Sequence, residues 1–388
     1  LESIKYVGFD DSTGYAVAAK NLVCALRQAG AVVHWTPVVA GASAYDPNSL
    51  LQVREGYKNV ILHMVPEYYP AWLSFERSLS ANPARLWGYV TWETDKIPGH
   101  WTKLLNAMDG IFVPCTWNRD VFRACGVQTR IEVLPHISQF HGQAPERTPS
   151  PAVKKVFDRI GERFVFYNIG VWMDRKAPWL LMEAFLSEFR QDELVVLVLK
   201  TGRQDFTRYR RKWHKPWQME SSRSADAVRA ILKSASPGPE IIHLDEELMD
   251  DDIARLHQRG DCFVALSRGE GWGMGSFEAA WWGKPVITTA IGGVLDYLPG
   301  HLSYHVKYHL IPVRCNKHWR SYTPDQKWAE PDLSQARQCL RHVYEEPDKA
   351  AQKGVQLREY VHQYFDPVRI ARQCLDYLPV TKAKLLNY

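Results

Sequence analysis

Short apolar runs alternate with amphipathic segments along almost the whole chain. Residues 4–8 read as a strand. Residues 14–29 read as a helix, with Ala18, Leu22, Val23 and Leu26 on one face. Further strands are expected at 32–35, 60–64, 86–91 and 110–114. Their apolar residues run continuously, as in a parallel sheet buried on both faces. This predicts a doubly wound α/β domain over residues 1–140, closing near Val133, Leu134 and Pro135. Residues 141–151 hold three prolines and few apolar positions, so they read as a linker. The pattern then restarts, with strands at 164–168, 194–199, 241–244, 262–266 and 285–288 and a helix at 179–189. A second α/β domain is expected over 150–365. Helical patterns at 333–346, 350–364 and 368–377 close the chain. The last opens on Asp366 and Pro367, an N-cap and a proline at the first helical position. The segment 366–388 is expected to pack back on the first domain.

Composition agrees with two cores: 388 residues are too many for one ordinary domain, and 46% are apolar. A net charge of +5 is mildly basic, which suits anionic ligands but is no nucleic-acid signature. Seven scattered cysteines without a C-x-x-C pair read as reduced thiols, hence a cytoplasmic protein. Residues 1–5 lead straight into a strand and do not read as a secretory signal. The first residue is Leu, so a preceding segment is compatible with the sequence. No apolar run approaches the roughly 20 residues that span a bilayer. Most of the 15 tryptophans are expected in the cores, with a few offering flat faces to sugar rings.

The most informative segment is SRGEGWGMGSFE at 267–278, directly after a strand. Its four glycines let the backbone turn tightly and approach a ligand. Ser276 reads as the N-cap of a helix that runs through Trp282 and stops at Gly283. Free amides and the positive end of that helix suit a diphosphate. Glu270 in the loop and Glu278 in the first turn are carboxylates able to accept hydrogen bonds from sugar and ribose hydroxyls. On spacing alone, a plain strand–loop–helix turn explains the segment equally well.

This segment, followed by GKPVI at 283–287, resembles the signature of family 4 retaining glycosyltransferases of the GT-B fold. The resemblance, with other landmarks, covers nearly the whole chain. It implies two Rossmann-like doubly wound domains facing across a cleft, the first for the acceptor and the second for a nucleotide-sugar donor. By resemblance Glu270 holds the donor sugar and Glu278 the ribose. The main chain of Gly271, Trp272, Gly273, Met274 and Gly275 holds sugar and phosphate. IGVWMDRKAP at 169–178 is similar to the strand and loop that supply a basic pair to the diphosphate. Lys176 matches the family lysine. Val171 stands where the family has arginine, and Arg175 is the nearest substitute. Gly14 matches the N-terminal glycine loop. Glu93 occupies the place of a family histidine facing the sugar, and is expected there as a catalytic or acceptor contact. Tyr15 and His63 are further candidates for acceptor or sugar contacts. PCTWNRDVF at 114–122, VLPH at 133–136 and WAEPD at 328–332 are also similar to family segments.

The expected activity is transfer of a sugar with retention to an acceptor hydroxyl, on a glycan or lipid-linked acceptor, in polysaccharide or glycoconjugate biosynthesis. No metal or cofactor is expected. An inverting enzyme of the same fold and an inactive sugar-binding protein are the alternatives. Asp250, Asp251 and Asp252 read as acids opening a helix rather than metal ligands. His301, His305 and His309 have helical metal spacing, but residues 303–311 read as a strand. The basic run 203–215 reads as a solvated face, or as a peripheral contact with the anionic inner face of a membrane.

Overall fold

The computed structural model describes residues 3–39, 41–81, 83–140, 145–212, 215–314 and 321–378. The chain forms two compact units: Leu1–Trp92, Lys96–Gln139 and Phe365–Tyr388 make the first, Glu93–Asp95 and Phe140–Tyr364 the second.

In the first unit β1 (Ser3–Phe9), β2 (Val32–Val38), β3 (Asn59–His63), β4 (Arg85–Tyr89), β5 (Gly110–Val113) and β6 (Ile131–Val133) form one sheet in the order β2-β1-β3-β4-β5-β6. Every pairing is parallel. The helices are α1 (Gly14–Gln28), α2 (Tyr69–Leu79), α3 (Trp101–Leu105) and α4 (Thr116–Ala124). Thr13 opens α1, its hydroxyl accepting from the Ala16 amide at 3.4 Å. Beneath α2 lies a charge inside the core. Lys5 on β1 donates to Glu76 at 2.6 Å with both residues buried, and Tyr57 donates to the other Glu76 oxygen at 2.8 Å.

The second unit repeats the plan. Helix α5 (Pro151–Ile160) precedes β7 (Phe164–Ile169), and α6 (Pro178–Glu188) leads to β8 (Val195–Lys200). An antiparallel hairpin, β9 (Gln204–Lys212) and β10 (Lys215–Arg223), comes before α7 (Ser224–Ser234) and β11 (Glu240–Leu244). Then follow α8 (Asp250–Arg259), β12 (Cys262–Ala265), α9 (Met274–Trp281), β13 (Val286–Thr289), α10 (Val294–Tyr297) and β14 (Tyr304–Val306). The parallel sheet runs β11-β8-β7-β12-β13-β14. A second hairpin, β15 (Tyr308–Pro312) and β16 (Lys327–Pro331), precedes α11 (Leu333–Glu345) and α12 (Pro347–Tyr364). The last helix, α13 (Pro367–Tyr377), belongs to the first unit. Its Ile370, Ala371 and Cys374 are buried in one cluster with Leu22, Val23 and Leu26 of α1.

Several sequence expectations change. The linker read at 141–151 ends as the start of α5: Ser150 is its N-cap, accepting from Val153, and Pro151 is its first residue. Residues 303–311 are not one strand. The chain breaks at Lys307, so β14 joins the main sheet and β15 the hairpin. His301, His305 and His309 therefore fall on different elements, and no group of three potential metal ligands occurs among the described residues. Asp250, Asp251 and Asp252 do form the first turn of α8, but its N-cap is Met249. Asp251 and Asp252 instead accept from the amides of Arg147 and Ser150 at 3.1 Å. The basic run 203–215 lies largely in β9; the side chains of residues 209–215 lie outside the described residues. The six cysteines among the described residues are free thiols. Among those residues no helix is long and apolar enough to cross a membrane.

Candidate active site

The C-terminal end of β12 carries the glycine-rich segment into α9. The N-cap of α9 is Gly273, at φ 87°, a left-handed conformation that a side chain disfavours. This corrects the expectation for Ser276, which lies inside the first turn and is buried. The first helical bond runs from the Phe277 amide to the Gly273 carbonyl, so the amides of Met274, Gly275 and Ser276 precede it. Trp272 is a core residue: its indole is buried 4.8 Å from the Tyr297 ring and 5.2 Å from Phe277. The Tyr297 hydroxyl bonds the carbonyls of Trp272 and Gly273, both at 2.9 Å, and so fixes the turn from below. The Gly293 amide donates to the Glu270 carbonyl at 2.8 Å.

Glu270 is the centre of a charged cluster. Lys176 Nζ lies 2.6 and 2.8 Å from its two oxygens, and Arg175 Nη1 lies 3.2 Å from Oε2. The same Nη1 donates to the Gly269 carbonyl at 2.7 Å. Arg175 also pairs with Glu93 at 3.4 Å, and the Tyr322 hydroxyl donates to Glu93 at 3.0 Å. Two cations thus face two carboxylates. Burial pushes the Glu270 carboxyl up, but Lys176 and Arg175 outweigh it and hold the pKa below its ordinary value. Burial also dominates at Lys176, whose pKa is lowered despite Glu270. Around Arg175 burial is outweighed by Glu93, Tyr322 and Glu270, so its pKa is raised and its charge is secure.

Backbone geometry places these side chains. Ala177, buried and next to Lys176, has φ 40°, the single non-glycine residue at positive φ among those described. It caps α6, whose first residue is Pro178. Glu93–Asp95 belongs to the second unit although its neighbours in sequence belong to the first. Asp95 exchanges hydrogen bonds with Lys327 of β16, at 3.1 and 2.6 Å. A Cβ on Gly269 would stand 2.1 Å from the Glu93 carbonyl oxygen, so only glycine admits this strap.

Glu278 is buried in α9 but lies one residue beyond its first turn, which holds no acidic residue; this corrects the first-turn placement expected from the sequence. Gly14 and Tyr15 open α1 in the first unit, where the Tyr15 hydroxyl donates to the Thr91 carbonyl at 3.0 Å and accepts from its amide at 2.9 Å. His63 has no exposed surface. It stacks on Tyr89 with centroids 4.1 Å apart, and its Nδ1 lies 2.7 Å from the Tyr6 hydroxyl. Burial, with His136 beside it, drives its pKa well below the ordinary value, so it is a neutral core residue.

Sequence reasoning missed Arg268 and Tyr322. Arg268 grips Glu330 of β16 with two nitrogens, at 2.6 and 3.1 Å. It also donates to the carbonyls of Asp174 and Arg175, at 3.2 and 2.7 Å. It thereby ties the 170–177 loop, the glycine loop and β16 together. The arginine preceding Gly269 was a visible signal; its partners, 62 positions away for Glu330, were not.

Comparison with known proteins bears on both fold and site. A family model described as Glycosyl transferases group 1 matches residues 229–302, which include Glu270, Glu278 and the glycine loop. Among curated proteins none matches the chain in sequence. Solved structures similar in fold include HepE of Anabaena in complex with UDP-glucose, at 14% identity and a TM-score of 0.69, covering 97% of this chain and 99% of that one. Sucrose-phosphate synthase from Thermosynechococcus elongatus has 13% identity and a TM-score of 0.67, covering 97% and 98%. A glycosyltransferase from Rickettsia africae has 13% identity and a TM-score of 0.65, covering 97% of each. Over nearly its full described length the chain has the α/β GT-B fold, with two parallel six-stranded sheets.

Proposed function

We propose that this chain is a retaining glycosyltransferase that moves a sugar from a nucleoside-diphosphate sugar to an acceptor hydroxyl. The observation that carries the reading is the Glu270 carboxylate, gripped by Lys176 and Arg175 beside the free amides of α9. Such a cluster holds its cations in readiness. A diphosphate would draw Lys176 and Arg175 towards its oxygens and free Glu270 to accept from sugar hydroxyls. Glu278 would take the ribose, and Glu93, steadied by Tyr322, the sugar or the acceptor. The second unit is the donor unit in this reading, and the first takes a glycan or lipid-linked acceptor.

Charge on the departing diphosphate grows in the transition state, and the two cations and the helix amides are aimed at anionic oxygen. The departing oxygen then accepts the acceptor's proton, so the new bond forms on the face the diphosphate leaves. The work of a divalent ion falls to Lys176 and Arg175, and activity should persist in EDTA. HepE is described with UDP-glucose, so UDP-sugars are the first donors to screen. A thermal-shift series of nucleoside diphosphates and their sugars identifies the donor by mass action. NMR of the product then reads the anomeric configuration. Retention supports the proposal. Inversion assigns the chain to the inverting branch, and folded protein that binds no nucleotide sugar overturns it.

A further inference from the structure

Behind the loop that bears Arg175 and Lys176 the second unit has a separate cavity of about 800 Å³, within the usual range of small-molecule sites. Trp172, Trp179, Asp174, Glu183 and Asp205 line it, and Arg175, Lys176 and Glu270 do not. Asp205 is 1% exposed. Its Oδ1 accepts from the Thr207 amide at 2.8 Å and the Thr207 hydroxyl at 2.6 Å. Its Oδ2 has no hydrogen-bond partner among the described residues. A buried carboxylate oxygen left so is costly unless a donor reaches it.

We propose that this cavity binds a small organic cation, a protonated amine on an apolar stem. Among the described lining residues, three carboxylates, on Asp174, Asp205 and Glu183, meet one guanidinium, that of the exposed Arg208. Arg268 reaches Asp174 through its main-chain carbonyl. Burial, and to a smaller degree the neighbouring Asp205, raise the Asp174 pKa against the pull of Arg268. Leu186, Ala227 and Ile231 supply an apolar wall for the stem. The indoles do not form a stacking site for a flat sugar ring, so the carboxylates rather than the aromatic faces set the ligand's chemistry. Trp172 is 2% exposed, and the Arg268 guanidinium already lies 5.6 Å from the Trp179 ring centre, so neither offers a free platform. Asp174 immediately precedes Arg175, so the cavity adjoins the charged cluster without sharing its residues.

Hexylamine is the probe, with 1-hexanol and hexanoate as equal-length controls. Binding to the whole chain is followed by calorimetry and by tryptophan fluorescence, without any nucleotide sugar. The expected result is saturable hexylamine binding that weakens with salt, with hexanol and hexanoate at least about tenfold weaker. Asp205→Asn should weaken hexylamine by about tenfold or more. Ala230→Trp, at an exposed lining position on α7, should block the cavity with melting unchanged. It decides the matter if Asp205→Asn does not fold. Equal binding of hexanol, undiminished binding to folded Asp205→Asn or Ala230→Trp, or no saturable binding of hexylamine overturns the proposal.

Discussion

Lys176 reaches both carboxylate oxygens of Glu270, at 2.6 and 2.8 Å, across 94 positions of sequence. This pair makes stability depend on pH in a defined direction. The Glu270 pKa is lowered in the folded state, so its contribution is present above the unfolded carboxyl pKa and is lost as pH falls through the folded value. Lys176→Met removes the strongest cation acting on Glu270 and raises that folded pKa. Thermal melting from pH 7 to pH 3 should show a gap between wild type and variant that is widest at neutral pH and narrows in acid. A gap of constant size would mean that the charge on Glu270 contributes nothing to it.

Two glycines in candidate site segments should respond differently to alanine. At Gly14 a Cβ meets nothing within 4 Å, so Gly14→Ala should leave melting almost unchanged. At Gly269 the Cβ would sit 2.1 Å from the Glu93 carbonyl oxygen and force the strap away. Gly269→Ala should cost about 1–3 kcal/mol, as overpacking typically does. It should also separate Glu93 from Arg175. Side-by-side melting curves check this, and equal curves would show that the strap does not depend on the close approach.

The strands and long helices were legible because their apolar periodicity is local. The residues 262–266 and 285–288 appear within a residue of β12 and β13 for that reason. The hairpins were not legible. Strand β9, QDFTRYRRK, has no apolar run, and β16 owes its place to antiparallel pairing with β15. Within the cluster, Glu270, Arg175, Lys176 and Glu93 could be nominated from motifs. Their joining could not, because it rests on the left-handed turn at Ala177 and on Arg268. Ser276 was misread as a cap because serine favours that position, whereas Gly273 takes it with a backbone conformation the motif does not spell out.

In the first unit, Lys5 and Glu76 form an ion pair with side chains 0% and 1% exposed. Lys5→Met should be strongly destabilising, by about 3–5 kcal/mol, because it strands a buried carboxylate. The double variant Lys5→Met/Glu76→Leu should recover most of the loss, since the pair's net contribution over an apolar pair is small. Denaturant unfolding of the single and double variants tests this. A double variant no more stable than the single would show that the pair itself, rather than the stranded charge, sets the cost.

On the proposed function, Glu270 and Glu278 should fail in different ways. Glu278 is assigned to the ribose, which does not react, so its contact is alike in ground and transition states. Glu278→Ala should therefore mainly raise the donor KM. Glu270 is assigned to the reacting sugar, whose ring gains positive charge at the transition state, where a carboxylate becomes more favourable. Glu270→Gln should lower kcat more than it raises KM, by about 10²-fold or more if it matches the loss of one electrostatic contact at a transition state. The amide keeps the size of the side chain but releases Lys176 from its pair, so melting of the variant is the necessary control. Steady-state kinetics over a range of donor concentrations separate the two effects. If both variants are folded and keep the wild-type kcat/KM, neither carboxylate touches the donor, and the assignment of this cluster as the donor site fails.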